Sequence, residues 1–163
     1  MPLPTGVQIR RAVPADAEVL TQLHLDCWHD AYTGLMPQTI LDALDDDLPA
    51  RVDRWRKAIP NGHTSVAEHD AALIGFVNAA SPGAESPELE IQVFALYVRA
   101  VWWGAGVGHA LFEEAVGHRS AILWVLEGND RAIRFYERQG FRFDGAGHDE
   151  PYGRRLRMVR DTG

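Results

Sequence analysis

Cysteine is almost absent from this chain of 163 residues, and the single thiol, Cys27, excludes an intramolecular disulfide. No apolar run approaches the roughly 20 residues of a membrane-spanning helix, and the opening "MPLPTGVQIRR" lacks a signal peptide's apolar segment. A cytoplasmic protein that does not enter membranes is expected. Excess basic charge is missing too: the formal net charge is −7, which argues against a general nucleic-acid binder and is compatible with a cationic substrate. There is no HExxH and no cysteine cluster, and His24 and His29 stand five apart, so no metal site is expected. Internal repeats, linkers and low-complexity tracts are likewise missing. With 46% hydrophobic and 24% charged residues, residues 1–163 read as a single packed domain.

What is present is a chain of alternating strand and helix signals. "VQIRRA" (7–12) predicts a first strand, and Pro14 opens a helix with Leu20, Leu23, Cys27 and Ala31 at helical spacing. Gly34 and Pro37 break it; a second helix carries Ile40, Leu41 and Leu44, and Pro49 starts another with Val52, Trp55 and Ile59. Residues 63–80 predict two strands joined near His69-Asp70. A strand from Leu89 to Val98 follows: Leu89, Ile91 and Val93 alternate, then Phe94, Leu96 and Val98 carry the large apolar groups. That one-residue change of phase is what a β-bulge produces, although a strand buried on both faces would blur alternation as well.

The most informative stretch is "FALYVRAVWWGAGVGHALFEEA" followed by "LWVLEGNDRAIRFYERQGF". The first part reads as a strand entering a helix through Gly104, Gly106 and Gly108. Such a turn leaves backbone N–H groups uncovered at a helix N-terminus, a combination that binds phosphate. The second part supplies an interior strand, "AILWVL" (121–126), then Asn129 and a helix with Phe135 and Tyr136 that Gly140 ends. A strand–helix–strand unit of this length implies a parallel pair with a right-handed crossover. "FRFDG" and "RRLRMVR" look like a closing antiparallel pair, the latter an edge strand protected by charge or a partner surface. A Rossmann fingerprint would need glycine at His109 and an acidic residue where Trp124 stands, and a P-loop would need Gly-Lys-Ser/Thr.

Two motifs resemble the GNAT superfamily of acyl-CoA-dependent N-acyltransferases. Trp103-Gly104-Ala105-Gly106-Val107-Gly108 resembles that family's pyrophosphate loop, [QR]-x-x-G-x-[GA], with Trp103 in place of the usual Gln or Arg. Asn129 to Phe141 resembles its N-x-x-A-x-x-F-Y-x-x-x-G-F throughout. The resemblance implies an α/β (α+β) fold: a mixed, mostly antiparallel central sheet with a parallel splayed strand pair, flanked by helices. It implies acetyl-CoA as co-substrate, held by Trp103, Gly104, Ala105, Gly106, Val107 and Gly108, with Leu96 and Val98 offering backbone groups and Asn129 and Phe135 beside the pantetheine arm. Asn129 also reads as a plain helix cap.

Tyr136 is implied as general acid for the coenzyme thiolate, or else is a core tyrosine. Glu90, whose position relative to the glycine loop resembles that of a catalytic glutamate in some family members, is the candidate general base acting through water, or else a solvent-facing strand carboxylate. Cys27, on a periodic apolar helix position, reads as a core thiol rather than a nucleophile, which favours direct transfer. By family analogy the first two helices wall the acceptor site, so Trp28, Tyr32, Leu35 and Met36 are candidate lining residues. Asp42, Asp45, Asp46 and Asp47 either draw in a cationic amine or form a solvated run. The expected reaction is acetyl transfer to a primary amine: a small amine, a polyamine, an amino-acid derivative or a protein N-terminus. The contrasting reading is a non-catalytic acyl-CoA sensor. Family members often form homodimers, and no residue here marks an interface.

Overall fold

The computed structural model describes residues 2–161. Strand β1 (Val7–Arg11) leads through a 3-10 turn at Pro14–Asp16 into helix α1 (Ala17–Tyr32). Asp16 fixes that entry: its carboxylate accepts from the Val13 N–H at 2.8 Å and pairs with Arg10 of β1 at 2.9 Å. The segment predicted as a second helix is a five-residue α2 (Gln38–Asp42) that tightens into a 3-10 turn at Ala43–Asp47, hemmed between Pro37 and Pro49. Helix α3 (Leu48–Ala58) follows with Pro49 in its first turn. Strands β2 (His63–His69) and β3 (Ala72–Ala80) meet at Asp70 and Ala71, both with positive φ. The rest of the chain is β4 (Ile91–Val98), α4 (Val107–Ala115), β5 (Ala121–Leu126), α5 (Asp130–Arg138), β6 (Arg142–Glu150) and β7 (Gly153–Arg160).

The seven strands form one sheet in the order β1-β2-β3-β4-β5-β7-β6. Every pairing is antiparallel except β4 with β5, which run parallel. The expected mixed sheet with one parallel pair is therefore the observed one. Helices α1 and α3 cover one face, where Leu20, Leu23, Cys27 and Ile59 pack on Val66 and Phe76. Helices α4 and α5 cover the other, where Val107, Leu111, Phe112 and Tyr136 pack on Ala67, Val77, Ile91 and Val93. Neighbours such as Phe76 and Val77 point to opposite faces, as the pleat requires. Burying a side chain the size of Phe76 or Phe112 contributes about 2–3 kcal/mol.

Two features of the sheet bear on function. The β3–β4 register steps from Asn78↔Ala95 to Ala79↔Val93, so Phe94 has no partner and forms the expected bulge. Ile91, Val93, Leu96 and Val98 belong to the α4 side, whereas Ala95 and Tyr97 pack on the α1 side. Phe94 does not join Leu96 and Val98 as the alternation suggested; as the bulge residue it stays 55% exposed. Strand β4 also begins at Ile91 rather than Leu89.

The basic strand β7 is not at an edge: it lies between β5 and β6, and β6 is the edge. Its arginines are used internally. Arg157 pairs with Asp144 at 2.7 Å, and Arg160 donates to the carbonyls of Gly117, Arg119 and Gln139.

Close approach of α4 to the sheet depends on Gly75 of β3, where an added Cβ would lie 2.9 Å from the Tyr97 carbonyl oxygen and 3.2 Å from Leu111 Cδ1. The Gly75→Ala variant should lose about 1–3 kcal/mol, the cost of overpacking against backbone, measured by urea unfolding. An unchanged midpoint would show that α4 can lift off without cost.

Candidate active site

Strands β4 and β5 pair only from Ile91↔Ala121 to Val93↔Leu123 and then part. Beyond the bulge, the Arg99 N–H bonds Ile74 on the β3 side at 2.9 Å. Antiparallel alternation turns the peptide groups of Val98 and Leu96 the other way, toward the gap. The gap is a cavity of about 460 Å³ lined by Leu96, Val98, Trp103, Gly104, Gly106, Gly108, Asn129, Arg131, Phe135 and Tyr136 among others.

At its mouth lies the glycine turn. Gly104 and Gly106 have φ of 79° and 90°, values that favour glycine, and nothing lies within 4 Å of where a Cβ would stand on Gly104. Not every amide of 103–108 is free: Trp103 donates to the Ala100 carbonyl at 3.0 Å and Ala105 to Trp102 at 3.3 Å. The N–H groups of Gly104, Gly106, Val107, Gly108 and His109 have no backbone acceptor among the described residues, and no side chain caps α4. The Val107 side chain itself is core. Free amides converging on a helix N-terminus suit an anion.

Trp103 turns inward and donates its indole N–H to the Val98 carbonyl at 2.8 Å. The Arg131 guanidinium lies over its ring, 3.7 Å from the centroid. Arg131 forms no ion pair among the described residues. Sequence reasoning passed over it although it sits inside the quoted motif, two residues after Asn129, where the first turn of α5 faces the loop.

Tyr136 is buried and lines the cavity; among the described residues its hydroxyl has no hydrogen-bond partner. Burial pushes its pKa above the ordinary tyrosine value, so it stays protonated through neutral pH. Asn129 caps α5 by accepting from the Ala132 N–H at 3.4 Å, and it also lines the cavity, so its two readings are compatible. Cys27 is buried, and burial pushes its thiol up to about 12, which leaves an inert core group.

Other candidates fall elsewhere. Glu90 precedes β4 at the end remote from the glycine turn, and its carboxylate accepts from the Ser120 N–H at 2.9 Å while Ser120 Oγ accepts from the Glu90 N–H. It lies outside the cavity lining, tied to the start of β5, a position suited to joining the parallel strands rather than to taking a proton. Of the four candidate acceptor residues, only Tyr32 lines the cavity, its hydroxyl 2.7 Å from that of Tyr97. Met36 is core, Leu35 is 41% exposed, and Trp28 packs against His24, Tyr32 and Tyr152 with its indole nitrogen buried and without a hydrogen-bond partner among the described residues. Asp47 binds Arg51 and Arg54, and none of the four aspartates is among the described residues that line this cavity.

A second recess of about 260 Å³ was not foreseen. It lies on the α1–α3 side, lined by His24, Arg51, Arg54, Trp55, Ala58, Asn78, Phe94 and Ala95, and it shares Phe94 and Ala95 with the first. The only sequence signals for it are the bulge and the apolar face of α3.

Comparison with known proteins places the chain in a family. Residues 20–141 match the Acetyltransferase (GNAT) family. A probable N-acetyltransferase of Mycobacterium tuberculosis is 31% identical over 147 residues, covering 87% of this chain and 83% of that protein. The chain belongs to the GNAT acetyltransferase family. A mycothiol acetyltransferase of Frankia casuarinae is 31% identical over 153 residues, 85% of this chain but only 42% of that longer protein. The fold is shared with the PaiA N-acetyltransferase of Thermoplasma acidophilum, solved with coenzyme A: TM-score 0.74 at 18% identity, over 95% of this chain and 98% of that one.

His24 gives the region a measurable signature. Its ring is enclosed by Trp28, Trp55, Phe76 and Tyr97, and burial, aided by Arg51, pulls its pKa down to about 4. A histidine held neutral stabilises the fold fully above its ordinary pKa near 6.5, and that contribution is lost as pH falls toward 4. Between pH 7 and 4.5 the wild type should lose about 2–3 kcal/mol more stability than His24→Leu in denaturant titrations. Parallel losses would mean that the imidazole protonates freely in the folded protein.

Proposed function

We propose that this protein transfers the acetyl group of acetyl-CoA directly to an amine. The observation that carries the reading is the unpaired β4 edge at Leu96–Val98, facing Tyr136 across a cleft that ends in the free amides of the glycine turn. The residues present fit the coenzyme: a turn for the diphosphate, a strand edge for an extended amide-bearing arm, and a weak acid for the sulfur. The thioester supplies an activated acyl carbon and a leaving thiolate.

The chain's own groups do the rest. The amides of Gly104, Gly106, Val107, Gly108 and His109 hold phosphate oxygens, and Arg131, flat on Trp103, adds a cation beside them. Val98 pairs its peptide group with the pantetheine arm; its carbonyl has a second lone pair besides the one used by Trp103. Phe135 and the Asn129 amide flank the arm. The Leu96 N–H polarises the thioester carbonyl.

The neutral amine attacks, a C–N bond forms and the C–S bond breaks; the sulfur takes the Tyr136 proton, and the second proton shed by the nitrogen returns to the Tyr136 oxygen, so the phenol is restored. Burial that strengthens the phenol's hold on its proton also raises the proton affinity of a thiolate in the same site, which keeps the transfer matched. No aspartate or glutamate lines either cavity among the described residues, so the ammonium proton passes to water. A non-catalytic sensor of acyl-CoA would share the cleft but would have no use for an unpaired tyrosine hydroxyl.

Tyr136→Phe should lower kcat by about 100-fold or more while coenzyme A affinity, by calorimetry, stays as in the wild type. Equal losses in both would assign the tyrosine to structure alone.

Arg131→Gln should weaken coenzyme A binding about tenfold, the scale of one charge-assisted contact, and leave binding of pantetheine, which has no phosphate, unchanged. Loss of both affinities together would place Arg131 on the arm rather than on the phosphates.

A further inference from the structure

Negative charge outnumbers positive in this chain, 23 acidic side chains against 16 lysines and arginines. Both cavities invert that balance. The smaller one has Arg51 and Arg54 in its wall and no carboxylate among the described lining residues. An arrangement so unlike the surface average sets a sign for what enters.

We propose that the smaller cavity is the acceptor site and that it selects amines bearing a carboxylate on the same small molecule. The inference rests on the acetyl-transfer reading and specifies its acceptor. Placement comes first. The two cavities meet at Phe94 and Ala95, the bulged segment just before the Leu96 N–H; the larger runs through the gap beside β4, with Leu96 and Val98 on the α4 side and Tyr32 and Tyr97 on the α1 side, whereas the smaller lies on the α1–α3 side. An amine entering from the α1–α3 side reaches the thioester without crossing the coenzyme. Direct attack needs the reacting atoms about 3–3.5 Å apart, and the shared wall is the place where two separately held molecules can meet so closely.

Charge comes second. Arg51 and Arg54 stand three apart on α3 and so share a face. Arg51 is anchored through Nε, which donates to the Leu44 carbonyl at 3.1 Å and to Asp47 at 2.8 Å. Its terminal nitrogens have no protein partner among the described residues. Asp47 also meets Arg54, at 3.5 Å, so two guanidinium groups share one carboxylate and one positive charge remains over. His24, enclosed by aromatic rings, adds none at neutral pH. An amine with no anionic group would carry its ammonium toward that surplus charge. One with a carboxylate places it on Arg51 and directs its nitrogen toward Ala95.

Walls come third. Trp55, Phe94 and the His24 ring provide apolar surface for a short body, and Asn78, at the register step, adds an amide. A recess of about 260 Å³ suits one amino-acid-sized molecule rather than a length of polypeptide.

The test compares matched amines. Glycine, L-leucine and L-phenylalanine, their amides, and methylamine, isopentylamine and 2-phenylethylamine are assayed with saturating acetyl-CoA by thiol release. The carboxylate member of at least one set should exceed its amide and its decarboxylated partner about tenfold in kcat/KM, the scale of a charge-assisted contact. In Arg51→Gln that ratio should fall toward one, with coenzyme A affinity by calorimetry unchanged. Arg54→Gln, more exposed and without the Leu44 contact, should lower the ratio less and serves if the Arg51 variant does not fold. Equal rates within every set, a preference that survives both substitutions, or no turnover of any amine by protein that binds coenzyme A would each overturn the proposal. A wild type that binds no coenzyme A would instead remove the acetyl-transfer reading beneath it.

Discussion

The site depends on a constraint in hydrogen bonding: a buried strand edge must find partners, and β4 is given none beyond Val93 on its β5 side. On its other side the strand stays bound to β3 through a bulge at Phe94, which takes up the extra residue and lets the edge swing away from β5. What results is a strand half-finished by the protein. The peptide groups of Leu96 and Val98 face a cavity, and the indole of Trp103 satisfies one of them. An extended ligand with its own amides would complete the ladder. The glycine turn then falls at the far end of the same edge, so the strand proposed to pair with the arm also leads to the free amides of the turn.

That end of β4 is fastened to the opposite face. Asp30 of α1 accepts from Arg99 Nε at 2.7 Å and from the Ala100 N–H at 2.9 Å. Because Asp30 is on the helix that also carries His24, the wall of the smaller cavity and the entry to the glycine turn are held in one frame. The Tyr32–Tyr97 hydroxyl contact at 2.7 Å adds a second tie between α1 and β4. Each tie uses a polar group that burial would otherwise leave costly, so rigidity and satisfaction are obtained together.

Much of this was legible in the sequence because the signals are local. A change of alternation phase at Phe94 needs no tertiary knowledge, nor do glycines at a strand-to-helix turn or an asparagine opening a helix. What escaped depends on how distant pieces meet. Glu90 looked well placed by its distance from the loop, yet a strand rises about 3.3 Å per residue, so six residues put it roughly 20 Å from Leu96, at the wrong end. Strand β7 has the charge alternation of an edge, and only the pairing order shows that its arginines serve Asp144 and the loop carbonyls. The aspartates at the end of α2 and in the 3-10 turn after it stand out as a charge run. The arginines that line the smaller cavity carry no such signature, since one turn of α3 decides which of its several cations face inward.

Trp103 shows how a departure from a motif can be absorbed. A Gln or Arg at that position would offer polar hydrogens, whereas an indole offers one donor and a broad face. The donor goes to Val98, and the face holds the guanidinium of Arg131, a contact worth about 0.5–1 kcal/mol where water still reaches it. A guanidinium stacked in this way keeps its edge nitrogens free, because the ring takes only the planar face. Positive charge is therefore kept beside the glycine turn although it comes from α5 instead of from the loop. The same stacking links the turn after β4 to α5, so on the proposed reading the phosphates would be met by a cation already oriented.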